Sequence, residues 1–245
     1  ALRGIPYGDV TDAVDRLMAM DPERIIVVPL FPQYSSAATG SAVDRALEVI
    51  GKQWNVPTVE TIPAFYDDPG FIESFAQVAR PLLRDFEPDH VVLSYHGVPE
   101  RQVTKSDPTG AHCLASPDCC KVDLPANRFC YRAHCVRTSD RLLEALDLDP
   151  ERTSTTFQSR LGRTPWIKPY TDEVLTELAR SGVKRVAVLC PAFVADCLET
   201  LEEIGIRAKE DWQAEGGEDL LMVPSLNAHP RWVKTIADWV RARGD

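Results

Sequence analysis

Short runs of β-branched and aliphatic residues alternate along the chain with longer stretches in which apolar residues recur every three or four positions. Val10, Val14, Leu17 and Met18 share one side of a helix predicted over 9–20, which Asp21-Pro22 ends. A first buried strand is predicted over 25–30 and a second over 58–62, with a helix over 42–50 between them. Asp67-Asp68-Pro69 caps a helix reaching about residue 86, in which Pro81 predicts a kink or break. Val91, Val92 and Leu93 form the apolar core of a central strand. Beyond it come a helix over 138–146, a strand over Thr153–Gln158, a helix over 172–180 and a strand over Arg185–Leu189. A helix over 195–204, a last strand over 220–223 and an amphipathic helix over 229–243 complete the chain.

Strands that alternate with helices predict an α/β fold with parallel sheets covered on both faces. Four of the strands make a complete doubly wound unit, whereas only two precede it. The two halves also resemble each other: Arg24-Ile25-Ile26-Val27-Val28-Pro29-Leu30-Phe31 echoes Arg185-Val186-Ala187-Val188-Leu189-Cys190-Pro191-Ala192-Phe193. We expect two similar Rossmann-like domains, 1–87 and 88–245, the first lacking its opening strands, and an insertion at about 105–136. On the scale of the second copy, the missing part amounts to roughly 70 residues. Residues 1–4 accordingly read as a start in mid-protein.

At 245 residues, with 44% apolar and 26% charged residues, the chain has the totals of an ordinary globular protein. Its net charge of −10 argues against nucleic acid, which needs a basic face, but not against a cationic substrate. No apolar run approaches a membrane span and no signal peptide is visible, so a cytoplasmic protein is expected. Five of the seven cysteines, an odd count, lie between Cys113 and Cys135, which favours metal over a secreted disulfide framework.

The candidate chemistry gathers where strands end. Ser94-Tyr95-His96-Gly97 closes the central strand, and Pro99 prevents its continuation, so His96 falls at the carboxyl edge of the sheet, where open α/β folds hold ligands. A lone histidine there could equally be a loop residue satisfied by its neighbours. On the helix predicted over 195–204, Asp196, Glu199 and Glu203 share one face; a solvated acidic surface is the ordinary meaning of that spacing. Because this helix also follows a buried strand, its carboxylates could instead face His96 across a cleft, pairing oxygen ligands for a divalent cation with a proton acceptor. Between them, Arg160, Arg163 and Trp166 offer cations to carboxylates and a ring to a flat apolar ligand. Tyr34-Ser35-Ser36 and Thr39-Gly40-Ser41 read as a hydroxyl-rich helix start, suited to capping or an anion. Cys113, Cys119, Cys120, Cys130 and Cys135 could surround one metal centre, and their spacing suits zinc or an iron–sulfur cluster.

Taken together, these segments resemble the ferrochelatase family. The resemblance rests on 29–41 with its Pro32-Gln33-Tyr34-Ser35, on Ser94–Pro99 followed by Ser106-Asp107-Pro108, on Phe157-Gln158-Ser159-Arg160 with Pro165-Trp166, on 193–203, and on Leu226-Asn227. It implies a lyase of haem biosynthesis with a porphyrin cleft between two chelatase-like domains, inserting Fe²⁺ into protoporphyrin IX and releasing two protons. His96 and Glu199 would be catalytic, and His96, Glu199, Asp196 and Glu203 would handle the substrate iron. Tyr34, Ser35, Trp166 and Phe193 would bind the porphyrin. The cysteine insertion resembles the [2Fe–2S] loop of some family members, with Cys119 or Cys120 expected to be the spare thiol. A cobalt or nickel chelatase of the same fold, or a non-enzymatic haem or metal carrier, stands as the alternative. The resemblance also allows a peripheral membrane contact and a homodimer.

Overall fold

The computed structural model describes residues 8–243; residues 1–4, read above as a start in mid-protein, lie outside them. Helix α1 (Gly8–Met18) leads into strand β1 (Arg24–Val27), and helix α2 (Ser41–Ile50) carries the chain to β2 (Thr58–Thr61), which pairs with β1 in parallel. Val14, Ile25, Val49 and Ile50 form the small core of this two-stranded sheet. Helix α3 (Pro69–Phe86) starts where the Asp68 carboxylate accepts hydrogen bonds from the Gly70 and Phe71 amides. It continues through Pro81 and buries Phe71, Phe75 and Ala79 in the core of the second sheet.

That second sheet contains β3 (His90–His96), β4 (Thr153–Gln158), β5 (Arg185–Leu189) and β6 (Asp219–Met222), all parallel, in the order β4-β3-β5-β6. Alternation along β3 sends Val91, Leu93 and Tyr95 to one face and Val92 to the other. The first face is covered by α3, by α5 (Tyr131–Leu146), which follows the short helix α4 (Glu100–Lys105), and by the closing helix α9 (Pro230–Arg241). The second is covered by α6 (Thr171–Arg180) and, after the one-turn helix α7 (Leu198–Leu201), by α8 (Lys209–Ala214). Because the helices after β3 and β4 lie on opposite faces, the order reverses between β3 and β5. An open α/β sheet leaves its binding crevice at that point. His96 ends β3 there, and Cys190–Phe193 leaves β5 there.

Four expectations are corrected. The helix predicted over 42–50 begins earlier, because a wide π-helical turn at Ser36–Gly40 runs into α2 and Ser35 Oγ caps the Ala37 amide at 3.2 Å. The hydroxyl-rich start is therefore a cap. The helix predicted over 138–146 begins earlier, at Tyr131 within the cysteine-rich insertion, since its tyrosine, alanine and histidine pack inward. The continuous helix predicted over 195–204 is instead α7, a π-helical turn at Glu203–Ala208, and α8. Gly205 allows the wide turn to lie on β6, where an added Cβ would stand 3.3 Å from Met222 Sδ. Asp196 consequently precedes the helix instead of sharing its face. None of the helices among the described residues is long and apolar enough to cross a membrane.

Candidate active site at the switch point

His96 is held by its backbone on both sides. Its strand pairs with β4 so that His96 stands opposite Gln158, and the Gly97 amide then donates to the Gln158 carbonyl at 2.8 Å. Tyr131 Oη donates to the His96 carbonyl at 2.8 Å. Gly97 is required by this close approach: a Cβ there would lie 2.9 Å from the Gln158 carbonyl oxygen and 3.2 Å from the Trp166 ring. Gly97→Ala is expected to destabilise the fold by about 1–3 kcal/mol, as overpacking does, measured by urea unfolding. An unchanged midpoint would mean that the loop yields freely.

The imidazole is oriented as a proton acceptor. Its Nδ1 lies 2.6 Å from the Gly97 carbonyl oxygen, which can only accept, so Nδ1 carries a hydrogen and the lone pair of the neutral ring is at Nε2. Two aromatic rings flank it, Trp166 at 6.4 Å and Phe193 at 6.1 Å between centroids. Trp166 is itself fixed by its indole N–H donating to the Leu161 carbonyl at 2.9 Å.

Gln158 joins this edge to the acidic segment. Its Oε1 accepts from Ser94 Oγ at 2.8 Å, and its Nε2 donates to the Glu199 carbonyl at 2.6 Å. The three acidic residues are not equivalent. Glu203 is occupied, accepting from the Ser159 amide at 2.8 Å and Ser159 Oγ at 2.6 Å. It lines a cavity of about 420 Å³ with Gln158, Ser159 and Arg207. Asp196 accepts from the Ser225 amide at 3.0 Å, Asn227 Nδ2 at 2.7 Å and Thr200 Oγ1 at 3.2 Å. Burial pushes its carboxyl up, but those hydrogen bonds, Asn227's foremost, outweigh it and hold the group below the usual carboxylate range. Asp196 thus anchors the 225–227 loop. Glu199 keeps the most available carboxylate: it has no ion pair among the described residues and touches the Cys197 thiol, whose ionisation burial chiefly opposes.

The four porphyrin candidates fall into two pairs. Trp166 and Phe193 flank His96, whereas Tyr34 and Ser35 line a cavity of about 600 Å³ beside the His96 loop, together with Val98, Arg101, Phe129 and Tyr131. The offer of Arg160 to a ligand is corrected: its guanidinium is 2.7 Å from Asp172 and 3.2 Å from Glu173 and lies over the Tyr170 ring.

The cysteine loop is built around Asp107, whose two carboxylate oxygens accept from the Thr109, His112 and Cys113 amides and from Thr109 Oγ1. The Cys113 amide and then the Thr109 hydroxyl hold its carboxyl well below the usual range. Asn127, buried, ties the Leu124 amide to the Cys119 and Val122 carbonyls. Within this frame four thiols converge. Cys119 and Cys120 lie 3.7 Å apart, and Cys130 contacts both Cys113 and Cys120. Arg132 Nη1 stands 3.2 Å from Cys120 Sγ. Contact with Cys130, then burial, pushes the Cys120 thiol up; burial leads for Cys113 and Cys119. Cys135 stands apart, fully buried and bonded to Tyr131. Of the five clustered thiols, Cys135 is the one that α5 turns into the core, whereas Cys119 and Cys120, one of which was expected to be spare, lie together with Cys113 and Cys130. Among the described residues no group of three or more histidine, cysteine or acidic side chains is arranged to hold a metal ion. Gln158, Ser159, Asn227 and Asp107 had gone without assigned roles in the sequence, although all but Ser159 sit in conspicuous positions at a strand end or in a turn motif.

Comparisons with known proteins give the family and, separately, the fold. Residues 6–244 match a family model described as Ferrochelatase. A ferrochelatase of Legionella pneumophila (strain Corby) is 47% identical over 235 residues, 95% of this chain and 69% of the relative. One from Pseudomonas fluorescens is 45% identical over 223 residues, 91% and 65% of the two chains. One from Azotobacter vinelandii is 42% identical over 243 residues, 97% and 71%. The solved structure of SirB from Bacillus subtilis with Fe³⁺ shares the fold, with a TM-score of 0.62 at 15% identity over 94% of this chain and 75% of that one. With a parallel α/β architecture of that type, and relatives so similar across nearly its whole length, the chain belongs to the ferrochelatase family.

Proposed function

We propose that this chain inserts Fe²⁺ into protoporphyrin IX to make haem, with His96 as the principal proton acceptor. The observation that carries the reading is the tautomer set by Gly97, which leaves Nε2 of His96 open at the switch point between two aromatic rings. Metallation exchanges two pyrrole N–H protons for one Fe²⁺. The macrocycle is flat with inward-pointing nitrogens, so it must be distorted before a lone pair meets the metal. Trp166 and Phe193 are suited to press on the ring; Tyr34 and Ser35 would meet its periphery. His96 takes a proton at Nε2, and Glu199 relays the second or passes the iron. Asp196 and Glu203, engaged as they are, shape this path from behind. The two parallel sheets are read as two related domains, 1–87 and 88–245.

The cysteine loop is assigned to a [2Fe–2S] cluster. The donor set fits: four thiols crowd together, burial and neighbouring thiols push those of Cys113, Cys119 and Cys120 up, and beside them stands one guanidinium that would favour thiolate; a metal would displace their protons. Cys113, Cys119, Cys120 and Cys130 would hold the cluster, which would supply cross-linking of the loop and a one-electron redox centre. So held, it would support the fold of the loop and take no part in metal insertion.

The test is the loss of free-porphyrin fluorescence on adding Fe²⁺, compared with Co²⁺ and with no metal. Loss specific to Fe²⁺ supports the reading; preference for Co²⁺ would favour a chelatase for another metal, and binding without metallation a carrier. In the same assay Glu199→Gln should slow insertion by roughly 10²-fold. Glu202→Gln should do little, since Glu202 is exposed and paired with Arg207 at 2.8 Å. Equal losses at both positions would assign the effect to the helix and not to the carboxylate.

A further inference from the structure

His134 belongs to neither the sheet edge nor the thiol group, yet it is 2% exposed and every polar atom of its ring is engaged. Its Nδ1 accepts from the Tyr34 amide at 3.1 Å, and its Nε2 donates to the Arg128 carbonyl at 2.9 Å. The first contact admits only a bare Nδ1 and the second only a protonated Nε2, so the two bonds select one neutral tautomer. Burial agrees, pushing the imidazole down to about 4. The ring is stacked on Tyr66 at 3.8 Å and 16°. One turn further along α5, Thr138 Oγ1 donates to the Tyr66 carbonyl at 2.7 Å and accepts from Gln33 Nε2 at 3.0 Å.

These contacts join three segments that are remote in sequence. Arg128 is two residues from Cys130, in the last part of the cysteine loop. Tyr34 follows β1, and Tyr66 follows β2. The rings of Phe129 and Tyr34, on either side of the His134 bridge, meet at 5.3 Å and together form a wall of the 600 Å³ cavity beside the His96 loop.

We propose that His134 is a positioning residue that ties the cysteine loop to the Tyr34–Ser35 segment, so that ordering of the loop by its metal sets the Tyr34–Phe129 wall of the cavity. In its use of a loop-bound metal and a porphyrin ligand the inference rests on the function proposed above. The bridge itself rests only on the contacts just described. His134 does not touch the reacting atoms; it transmits position. Loss of the bridge therefore acts on porphyrin affinity and leaves the insertion step itself unchanged.

The experiment compares the anaerobically purified parent with His134→Leu, which fills the same space without polar atoms, and His134→Gln, whose amide can both accept from Tyr34 and donate to Arg128. Three readings are taken before and after stripping the loop metal with a chelator: hydrogen exchange at the Tyr34 amide, dissociation of free protoporphyrin IX, and the split of KM against kcat. In His134→Leu the Tyr34 amide should exchange about tenfold faster and porphyrin should bind about fivefold more weakly, as loss of one buried hydrogen bond does, with kcat retained. His134→Gln should restore both within about twofold. Stripping should loosen Tyr34 in the parent and have no further effect in His134→Leu, the mark of two changes acting through one link. Unchanged Tyr34 exchange in His134→Leu would overturn the tether, and so would equal effects of stripping in parent and variant. A parent that binds no protoporphyrin would refute the proposed function, and one that holds no metal would refute the coupling to the loop. In either case Tyr34 exchange in His134→Leu still decides whether the bridge exists.

Discussion

Replacing His96 by alanine should lower the rate of iron insertion by roughly 10²–10⁴-fold while the porphyrin still binds. The argument is geometric. Nδ1 is committed to the Gly97 carbonyl at 2.6 Å, so the ring cannot turn its lone pair inward, and Nε2 is the basic atom presented to a ligand. Trp166 and Phe193 remain in the variant, and they offer apolar surface, not proton affinity. Binding of free porphyrin, followed by its fluorescence, should therefore change little, whereas metallation collapses. The fold should survive, because the loop is held through backbone bonds from Gly97 to Gln158 and from Tyr131 to the His96 carbonyl. Metal insertion at the parental rate would make His96 a structural residue and transfer the proton-accepting role elsewhere.

Much of this arrangement was legible in the sequence because it depends on short-range patterns. The strands over Thr153–Gln158 and Arg185–Leu189 were read to the residue, since each is an apolar or β-branched run bounded by charge or proline. The placement of His96 followed from Pro99, which no central strand tolerates. What could not be read was the competition among polar groups. Asp196, Glu199 and Glu203 look alike at helical spacing, but Asn227 and Ser225 claim the first and Ser159 the last. Those partners come from separate strand ends, and only the assembled sheet brings them together. The α-helical period failed at both ends of this segment: α7 begins only at Leu198, so Asp196 left the face assigned to it, and Gly205 admits a wider turn after it. At the cysteine loop the spacing identified a group of thiols but could not foresee that α5 begins at Tyr131. That one helical start decides which cysteine points into the core.

The same helical start leads to the prediction with the clearest residue-by-residue pattern. Serine at Cys113, Cys119, Cys120 or Cys130 should remove the loop metal, and with it visible colour, acid-labile sulfide and solubility. Cys135→Ser should retain all three. The loop between Ser106 and Cys130 has few apolar residues of its own, and ordering such a chain costs about 1–2 kcal/mol per residue in backbone entropy. Asp107 and Asn127 meet part of that cost through their hydrogen bonds to the loop backbone. Four metal–thiolate bonds would offset much of the rest, as they do in small metal-dependent domains. Cys135 cannot join them without leaving the core. It is fully buried on α5, bonded to Tyr131. Serine there keeps the size and a hydrogen-bonding atom, so its cost should be about 1 kcal/mol, too little to unfold the chain. The measurement is iron, sulfide and zinc content with the visible spectrum, taken on protein purified without oxygen. A colourless protein with one tightly held zinc would replace the iron–sulfur assignment by a structural zinc site. Loss of metal in Cys135→Ser, with Cys119→Ser or Cys120→Ser unaffected, would return Cys135 to the ligand set and show that metal binding rebuilds the first turn of α5.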